Sequence, residues 1–306
     1  MSPRPLDLLD LPTIYRFRGE ALSLDSVRLL TRGNPLGAGG FLSYFNPARH
    51  LYTAISQENG ITLLGGVIQT NGDSFAKLVY LAPTTELTHP GLPPLIEHLI
   101  SEAGKWGAFH VLAEVDETSA AFPSLRAAGF SVYAWQRIWD VSNVPVDDAS
   151  GKWVQADEQN LPAIQSLYYQ IVPPLLQPIE PAPKRAVGLV CADGSRCYVN
   201  VLAGRSGILL IPLIHPEAKD VAEHLSTLLR QIPERRNRPV YLCVRSYQAW
   251  LEPALEDLGA KAAERQAVMV KHLARMVKES QPVTAKQPAT AIPASRISRA
   301  QVKREK

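Results

Sequence analysis

The chain has 306 residues, 46% of them hydrophobic and 20% charged, a composition typical of globular proteins that allows about two domains. The net charge of +3 argues against a basic nucleic-acid-binding body, because residues 279–306 carry six basic and two acidic side chains and leave the remainder near −1. The N-terminus lacks the apolar core of a secretion signal, and no apolar run approaches the roughly 18 residues that span a bilayer. We therefore expect a cytoplasmic protein without membrane contact.

The first half is predicted to fold in the order helix, hairpin, helix, strand, helix, strand. The pair Asn71-Gly72 is a turn signal between the hairpin strands, and Gly129 suits the left-handed end of the short helix. The predicted elements are a helix starting near Leu11-Pro12, strands at 61–70 and 75–82, a helix at 92–103, a strand at 109–115, a short helix ending at Gly129, and a strand at 131–141.

The second half is predicted to repeat the same order of elements. Its longer helix has apolar residues at helical spacing on one face, and Gly259 ends its short helix as Gly129 does in the first half. The predicted elements are a helix starting near Leu161-Pro162, strands at 196–202 and 207–214, a helix containing Val221, Leu225, Leu228 and Leu229, a strand at 240–244, a short helix ending at Gly259, and a strand at 266–273.

Three short motifs of the first half recur in the second half in the same order. Each is common by itself, and coincidence among helix starts and turns is the alternative interpretation. Their offsets of 150, 126 and 130 residues differ only by the length of a loop, which favours a duplicated domain. The pairs are Asp7-x-x-x-Leu11-Pro12-x-Ile14 with Asp157-x-x-x-Leu161-Pro162-x-Ile164, His89-Pro90 and Glu97-His98-Leu99 with His215-Pro216 and Glu223-His224-Leu225, and Pro123-x-Leu125-x-x-x-Gly129 with Pro253-x-Leu255-x-x-x-Gly259.

The duplication predicts an N-terminal domain of residues 1–145, a C-terminal domain of residues 152–276 and a disordered basic tail of residues 277–306. The mixed order of elements predicts an α/β fold with a sheet of mixed strand direction. A solubilising role is the simplest interpretation of the tail, and a weak electrostatic contact with nucleic acid is the alternative. The sequence leaves the oligomeric state open.

Cys191, Cys197 and Cys243 form no CxxC pair, and no histidine lies at metal-ligand spacing from them. Their odd number argues against a disulfide framework. Buried thiols are the expected state, and no metal site is expected.

The order of elements resembles the fold of the GCN5-related N-acetyltransferase (GNAT) superfamily. The resemblance is carried by a strand ending in Leu81-Ala82-Pro83, a following loop and apolar helix, a strand, and Leu125-x-x-x-Gly129-Phe130. Residues 207–273 are a fainter copy of this pattern. The resemblance implies two tandem GNAT-like domains, each with a mixed, mostly antiparallel twisted sheet flanked by helices.

The resemblance also implies a site for acetyl-CoA in the loop after the fourth strand. In the family this loop reads Arg/Gln-x-x-Gly-x-Gly/Ala, and its amides bind the pyrophosphate at a helix N-terminus. Here residues 88–94 keep one glycine and contain three prolines, and the second-half loop has no glycine, so the first half is the expected site. The implied cofactor-binding residues are Leu81, Ala82, Gly91, Leu92, Leu95 and Thr118.

Leu125 and Leu255 stand where the family carries a tyrosine that acts as general acid, so neither half has that proton donor. Glu114 and Asp116, at a strand end, are the candidate general bases, and solvated strand-end charges are the alternative. His89 and His215 recur before proline, which favours helix capping over a catalytic role.

The glycine-rich segment 33–40 lacks the Gly-Lys-Ser/Thr ending of a phosphate loop, so we expect a flexible loop on the acceptor side. Tyr44 and Tyr52 are candidate pocket walls, with the core as the alternative. The leading hypothesis is a CoA-dependent N-acetyltransferase that acts on a small-molecule or peptide amine. The alternative is a non-catalytic scaffold or ligand-binding protein with the same fold.

Overall fold

The computed structural model describes residues 2–37, 48–58, 60–144, 153–192, 196–232 and 235–273, and those up to 273 pack as one compact unit. The predicted junction between the halves, the predicted tail and Tyr44 lie outside these ranges. The strands are β1 Arg4–Pro5, β2 Leu22–Ser23, β3 Arg49–Glu58, β4 Ile61–Thr70, β5 Phe75–Ala82, β6 His110–Asp116, β7 Ser131–Asp140, β8 Trp153–Gln155, β9 Leu189–Cys191, β10 Cys197–Ala203, β11 Ile208–Ile214, β12 Val240–Arg245 and β13 Lys261–His272.

The helices flank these strands, and several begin with a proline in the first turn, where the missing N–H costs no helical hydrogen bond. The longest helix buries one apolar face, from Leu92 to Ala103, against the first-half core. The α-helices are α1 Leu11–Phe17, α2 Ser26–Arg32, α3 Leu92–Lys105, α4 Ala121–Ala127, α5 Leu161–Ile171, α6 Val221–Gln231 and α7 Glu252–Asp257. Single 3-10 turns lie at Leu8–Asp10, Thr84–Glu86 and Ser246–Leu251.

One continuous sheet runs through both halves in the order β1-β3-β4-β5-β6-β13-β7-β12-β11-β10-β9-β8, and β2 pairs with β5. Most neighbours are antiparallel, and the pairs β5–β6 and β11–β12 are parallel. This confirms the predicted fold class of two similar, mostly antiparallel α/β halves. The halves share their sheet.

The last strand of each half pairs with the other half. β13 lies between β6 and β7 and is antiparallel to both, and β7 in turn pairs with β12. The last strand of each half thus pairs with the strand of the other half that its own half leaves unpaired: β13 with β6, and β7 with β12. Because these pairings join strands of one half to strands of the other, they hold the halves together in the middle of the sheet.

The repeated motifs occupy equivalent places in the two halves. Leu125 lies in α4 and Leu255 in α7, and both side chains are buried. Each helix ends at a glycine with a positive φ, +83° at Gly129 and +77° at Gly259, a backbone conformation that favours glycine. The equivalence of these helices supports the duplication.

The structure differs from the prediction in several elements: the short strands β1, β2, β8 and β9 and helix α2 were not predicted. β3 was not predicted, although Asn59-Gly60, a strong two-residue hairpin signal, precedes β4 and could have identified it. β13 begins at Lys261, five residues before the predicted start at 266, because its pairing with β7 continues past an irregularity between Ala262 and Arg265.

Candidate functional site

The first candidate cleft lies where β5 and β6 separate. The two strands pair in parallel only from Phe75 with His110 to Lys77 with Leu112. Beyond that point their facing backbone groups are free to pair with something else. The family resemblance places the acyl donor along the end of β5, from Ala82 to the start of α3. The resemblance thus predicts the donor in this gap.

The backbone of residues 22–24 fills this gap. Leu22 pairs with Leu81 and Ser23 with Tyr80. Leu24 is 1% exposed. Its N–H donates to the carbonyl of Val79 at 2.9 Å, and its carbonyl accepts from the N–H of Glu114 at 2.9 Å. The hydrogen-bonding groups that a donor would use on both strands are therefore already paired with the protein's own chain.

The start of α3 has no spare amide for a pyrophosphate. The Gly91 N–H donates to Nδ1 of His89 at 3.0 Å, and the Leu92 N–H donates to the His89 carbonyl at 2.9 Å. The next two residues are prolines, and the Leu95 N–H donates to the Gly91 carbonyl at 3.3 Å. Every amide of this turn is therefore either bonded or missing, and His89 has the capping role that the sequence favoured.

The second cleft lies where β11 and β12 separate, after Leu210 and Leu242. The side chain of Gln248 bonds to the β11 side of this gap. Its Oε1 accepts from the N–H of Ile214 at 3.1 Å, and its Nε2 donates to the carbonyl of Pro212 at 2.9 Å. Gln248 is 1% exposed, so the primary amide substitutes for the missing strand neighbour in a dry position.

The start of α6 differs from the start of α3. The amides of Val221, Ala222 and Glu223 have no hydrogen-bond partner among the described residues. Such a turn can bind an anion, although the side chains of Asp220 and Glu223 oppose one. Nearby, Nδ1 of His215 accepts from the Glu217 N–H at 3.2 Å, which repeats the cap made by His89.

Glu114 is buried, at 8% exposed, which corrects the alternative interpretation of a solvated strand-end charge. Its Oε2 accepts from the N–H of Ser26 at 2.8 Å, at the start of α2. Burial alone would raise the pKa of Glu114, but the charges of Lys77 and Arg245 outweigh burial and hold this pKa below its ordinary value. Glu114 is a stably ionised carboxylate that holds the end of a helix.

The remaining predicted site residues do not converge on one point. Asp116 Oδ1 accepts from Gln266 Nε2 at 3.0 Å, and Thr118 Oγ1 donates to Glu264 Oε2 at 2.9 Å near the surface. Leu81 and Ala82 are buried in strand pairing. Tyr52 donates to or accepts from Nε2 of His98 on α3 at 2.8 Å and packs against the first-half core. The assignments of bases and cofactor contacts stay predictions.

A central polar cluster, which sequence reasoning missed, surrounds Glu180. Its Oε1 lies 3.1 Å from Arg245 and accepts from Tyr133 at 2.9 Å, and its Oε2 accepts from Tyr247 at 2.8 Å. Arg245 also donates to Oε1 of Gln136 at 2.5 Å. These residues come from both halves. Glu180 lies between prolines in the sequence and belongs to no motif, so no local pattern marks it.

Burial shapes the protonation of this cluster. Burial alone would lower the pKa of Arg245, but the charge of Glu180 together with the other acidic groups nearby, Glu114 among them, outweighs burial, and the pKa of Arg245 lies well above its ordinary value. Burial also raises the pKa of Tyr133 and of Tyr247 well above the usual range. Arg245 therefore stays ionised and the two tyrosines stay neutral near neutral pH, which suits a structural network better than proton transfer.

Comparison with solved structures identifies the fold. A GCN5-related N-acetyltransferase from Sphaerobacter thermophilus matches with a TM-score of 0.52 at 12% identity, over 88% of this chain and 95% of that chain. The chain has the GNAT fold. A tandem GNAT protein from the clavulanic acid biosynthesis pathway, in a structure without acetyl-CoA, has a TM-score of 0.49 at 16% identity over 90% and 99% of the two chains. A GNAT-family acetyltransferase from Colwellia psychrerythraea has a TM-score of 0.44 at 12% identity over 89% and 100%. No family model matches the chain, and no curated protein is similar to it in sequence.

Two further findings concern this GNAT fold. Within the described ranges, none of the helices combines the length and the apolar character that crossing a membrane requires. The same ranges contain no group of three or more His, Cys, Asp or Glu side chains placed to hold a metal ion.

Proposed function

We propose that the protein is a non-catalytic binding or scaffold protein of the GNAT fold. The observation that carries the proposal is the closure of the first cleft by the backbone of residues 22–24, which bonds to both Val79 and Glu114. A backbone segment that pairs with two strands is part of the sheet, and an acyl donor would have to displace it together with the buried Leu24 side chain.

The chemistry of the first half supports the same proposal. A general base must be able to reach the amine of an acceptor. Glu114 is instead buried, bonded to the Ser26 amide and flanked by Lys77 and Arg245. Leu125, at the family's tyrosine position, is fully buried and cannot donate a proton. Among the described residues of the first half, Glu114 and Leu125 therefore supply structure rather than acid–base chemistry.

A second candidate function is acyl transfer from acetyl-CoA to a small-molecule or peptide amine in the second half. The specific observation in its favour is that a side chain, Gln248, and not an inserted strand, bonds to the β11 side of this cleft. Rotation of a glutamine side chain can open a gap more readily than removal of a sheet strand. The unbonded amides at Val221, Ala222 and Glu223 would then face the pyrophosphate.

Thermal unfolding with and without acetyl-CoA tests both functions. A ligand that binds only the folded state at a hundredfold excess over its Kd stabilises by about 2.7 kcal/mol. We expect no shift in melting temperature at millimolar acetyl-CoA. The matched variants Gly91→Asp and Ala222→Asp each place a carboxylate at the start of one candidate helix, α3 or α6.

The pattern of melting-temperature shifts in the three proteins distinguishes the two candidate functions. A shift in the natural protein that Gly91→Asp abolishes would refute the proposal and place the donor in the first half. A shift that Ala222→Asp abolishes, and Gly91→Asp leaves intact, would establish the second candidate. No shift in any of the three proteins supports the non-catalytic proposal.

A further inference from the structure

A cavity of about 750 Å³ lies between the halves, outside both clefts. Its walls are α2, the starts of β3 and β5, the end of β4 and the end of β10. This volume is in the range of small-molecule sites. We call it the arginine cavity, and its charged lining residues are Asp25, Arg28, Arg32, Arg49, Asp73 and Lys77.

The fold holds the α2 wall of the arginine cavity in place. Arg28 and Arg32 are four residues apart on α2 and so lie on one face of the helix. The Thr31 carbonyl accepts from the Ser206 N–H of the second half at 3.0 Å. A Cβ at Gly204 would lie 2.0 Å from the same carbonyl oxygen, so the two backbones are in close contact. Arg28 and Arg32 therefore lie on a first-half helix whose position is also held by contacts with the second half.

The acidic residues of the arginine cavity already have basic partners. Asp25 lies 3.3 Å from Lys77, and Asp73 lies 3.8 Å from Lys184. Arg32 and Arg49 form no ion pair with a described carboxylate. Within the described part of the chain, two arginines at one cavity are thus left without an ion-pair partner.

The pKa of Arg32 reflects its surroundings in the cavity. Burial, and then the nearby charge of Arg49, lower the pKa of Arg32 below its ordinary value. The attraction of Asp25 offsets these two effects only in part. Arg32 and Arg49 therefore still repel each other, and a bound anion would relieve the repulsion. Apolar groups of Val27, Ile68 and Phe75 share the walls, so the cavity also offers contact area for an uncharged organic body.

We propose that the arginine cavity binds a phosphate group, with Arg32 and Arg49 as the ligating cations. Two guanidinium groups match the double negative charge of a phosphate, and their planar donors suit its oxygens. The volume exceeds that of phosphate alone, which fits a small organic phosphate monoester with a partly apolar body. This site is separate from both clefts and does not depend on acyl transfer.

Calorimetric titration of the full chain with AMP, adenosine and inorganic phosphate tests the site. AMP supplies a phosphate monoester on an uncharged organic body, and adenosine is the same body without the phosphate. We expect AMP to bind and adenosine not to bind. Inorganic phosphate that binds as tightly as AMP identifies the free ion as the ligand, whereas weaker binding identifies the ester.

Variants separate the site from a general charge effect. Arg32→Gln and Arg49→Gln should each weaken AMP binding by about tenfold or more, because each removes a charge-assisted contact. Arg16→Gln, on α1 and outside the cavity, is the matched control and should leave binding unchanged.

A thermal unfolding measurement shows whether a variant that binds less AMP is still folded. Arg32→Gln should unfold at the same temperature as the natural protein, or slightly higher, because it removes the repulsion with Arg49. The proposal is overturned if AMP and phosphate both fail to bind at millimolar concentration, if adenosine binds as well as AMP, or if Arg16→Gln weakens binding as much as the cavity variants do.

Discussion

Leu24 and Gln248 fill corresponding gaps, each between the parallel strands of its own half. Leu24 does so with its backbone, which bonds to Val79 on one side and Glu114 on the other. Gln248 does so with its side-chain amide, which bonds twice to β11. Leu24 thus pairs with both strands of its gap, whereas Gln248 pairs with one strand. The first gap is closed by backbone and the second is occupied by a side chain.

The first prediction concerns Gln248→Ala. The substitution leaves the Ile214 N–H and the Pro212 carbonyl without a partner in a buried position, and unmet buried polar groups cost about 1–3 kcal/mol each. We expect the free energy of unfolding in urea to fall by about this amount. Gln170→Ala, which removes an exposed contact to Ser166, is the control and should change little. An unchanged stability in Gln248→Ala would mean that water enters the cleft and pairs with the strand.

The order of elements was predictable because it depends on local patterns. Helical spacing of leucines, the Asn71-Gly72 turn and the Gly129 and Gly259 helix ends are each set by a few neighbouring residues. Recurrence of the motifs then supported a duplication, and equivalent helices now hold Leu125 and Leu255.

The closure of the clefts and the strand exchange were not predictable in the same way. β2 has only two residues, and its pairing with β5 depends on packing with distant elements. The place of β13 between β6 and β7 depends on contacts more than 100 residues apart in the chain, for which no local signal exists. Glu180 likewise gains its partners only in the folded chain.

The second prediction concerns Glu180→Gln. The change leaves Arg245 as a largely buried cation without its closest counter-charge, and breaking a buried pair costs about 3 kcal/mol at the lower end of the known range. We expect a clear loss in the free energy of unfolding. Glu252→Gln removes the partner of Arg137, and this ion pair is more exposed than the pair of Glu180 and Arg245. We expect Glu252→Gln to cost less than about 1 kcal/mol. Equal losses in the two variants would contradict a special role for the central polar cluster.

The third prediction concerns the pH dependence of stability through Glu114. Its pKa in the folded state lies below its unfolded value of about 4.3, so the folded state binds this proton less readily. The resulting stability is present above the unfolded pKa and is lost as pH falls through the folded pKa. We expect Glu114→Gln to remove that part of the acid dependence.

Urea unfolding of both proteins at several pH values from 7 down to 3 measures this effect. The natural protein should lose more stability over this range than Glu114→Gln does, and the two curves should approach each other at the acid end. Parallel curves would show that Glu114 titrates alike in the folded and unfolded states.

The fourth prediction concerns two of the three thiols, those of Cys191 and Cys243. Burial raises the pKa of Cys243 to about 12, and the thiolate is the form that reacts with alkylating reagents. Cys191 is only half-buried. We therefore expect iodoacetamide at pH 8 to modify Cys191 in the folded protein and to leave Cys243 intact, as read by mass spectrometry of peptides. In urea both should react, which controls for reagent and detection. Labelling of both cysteines at one rate without urea would show that the central sheet opens far more often than its buried network allows.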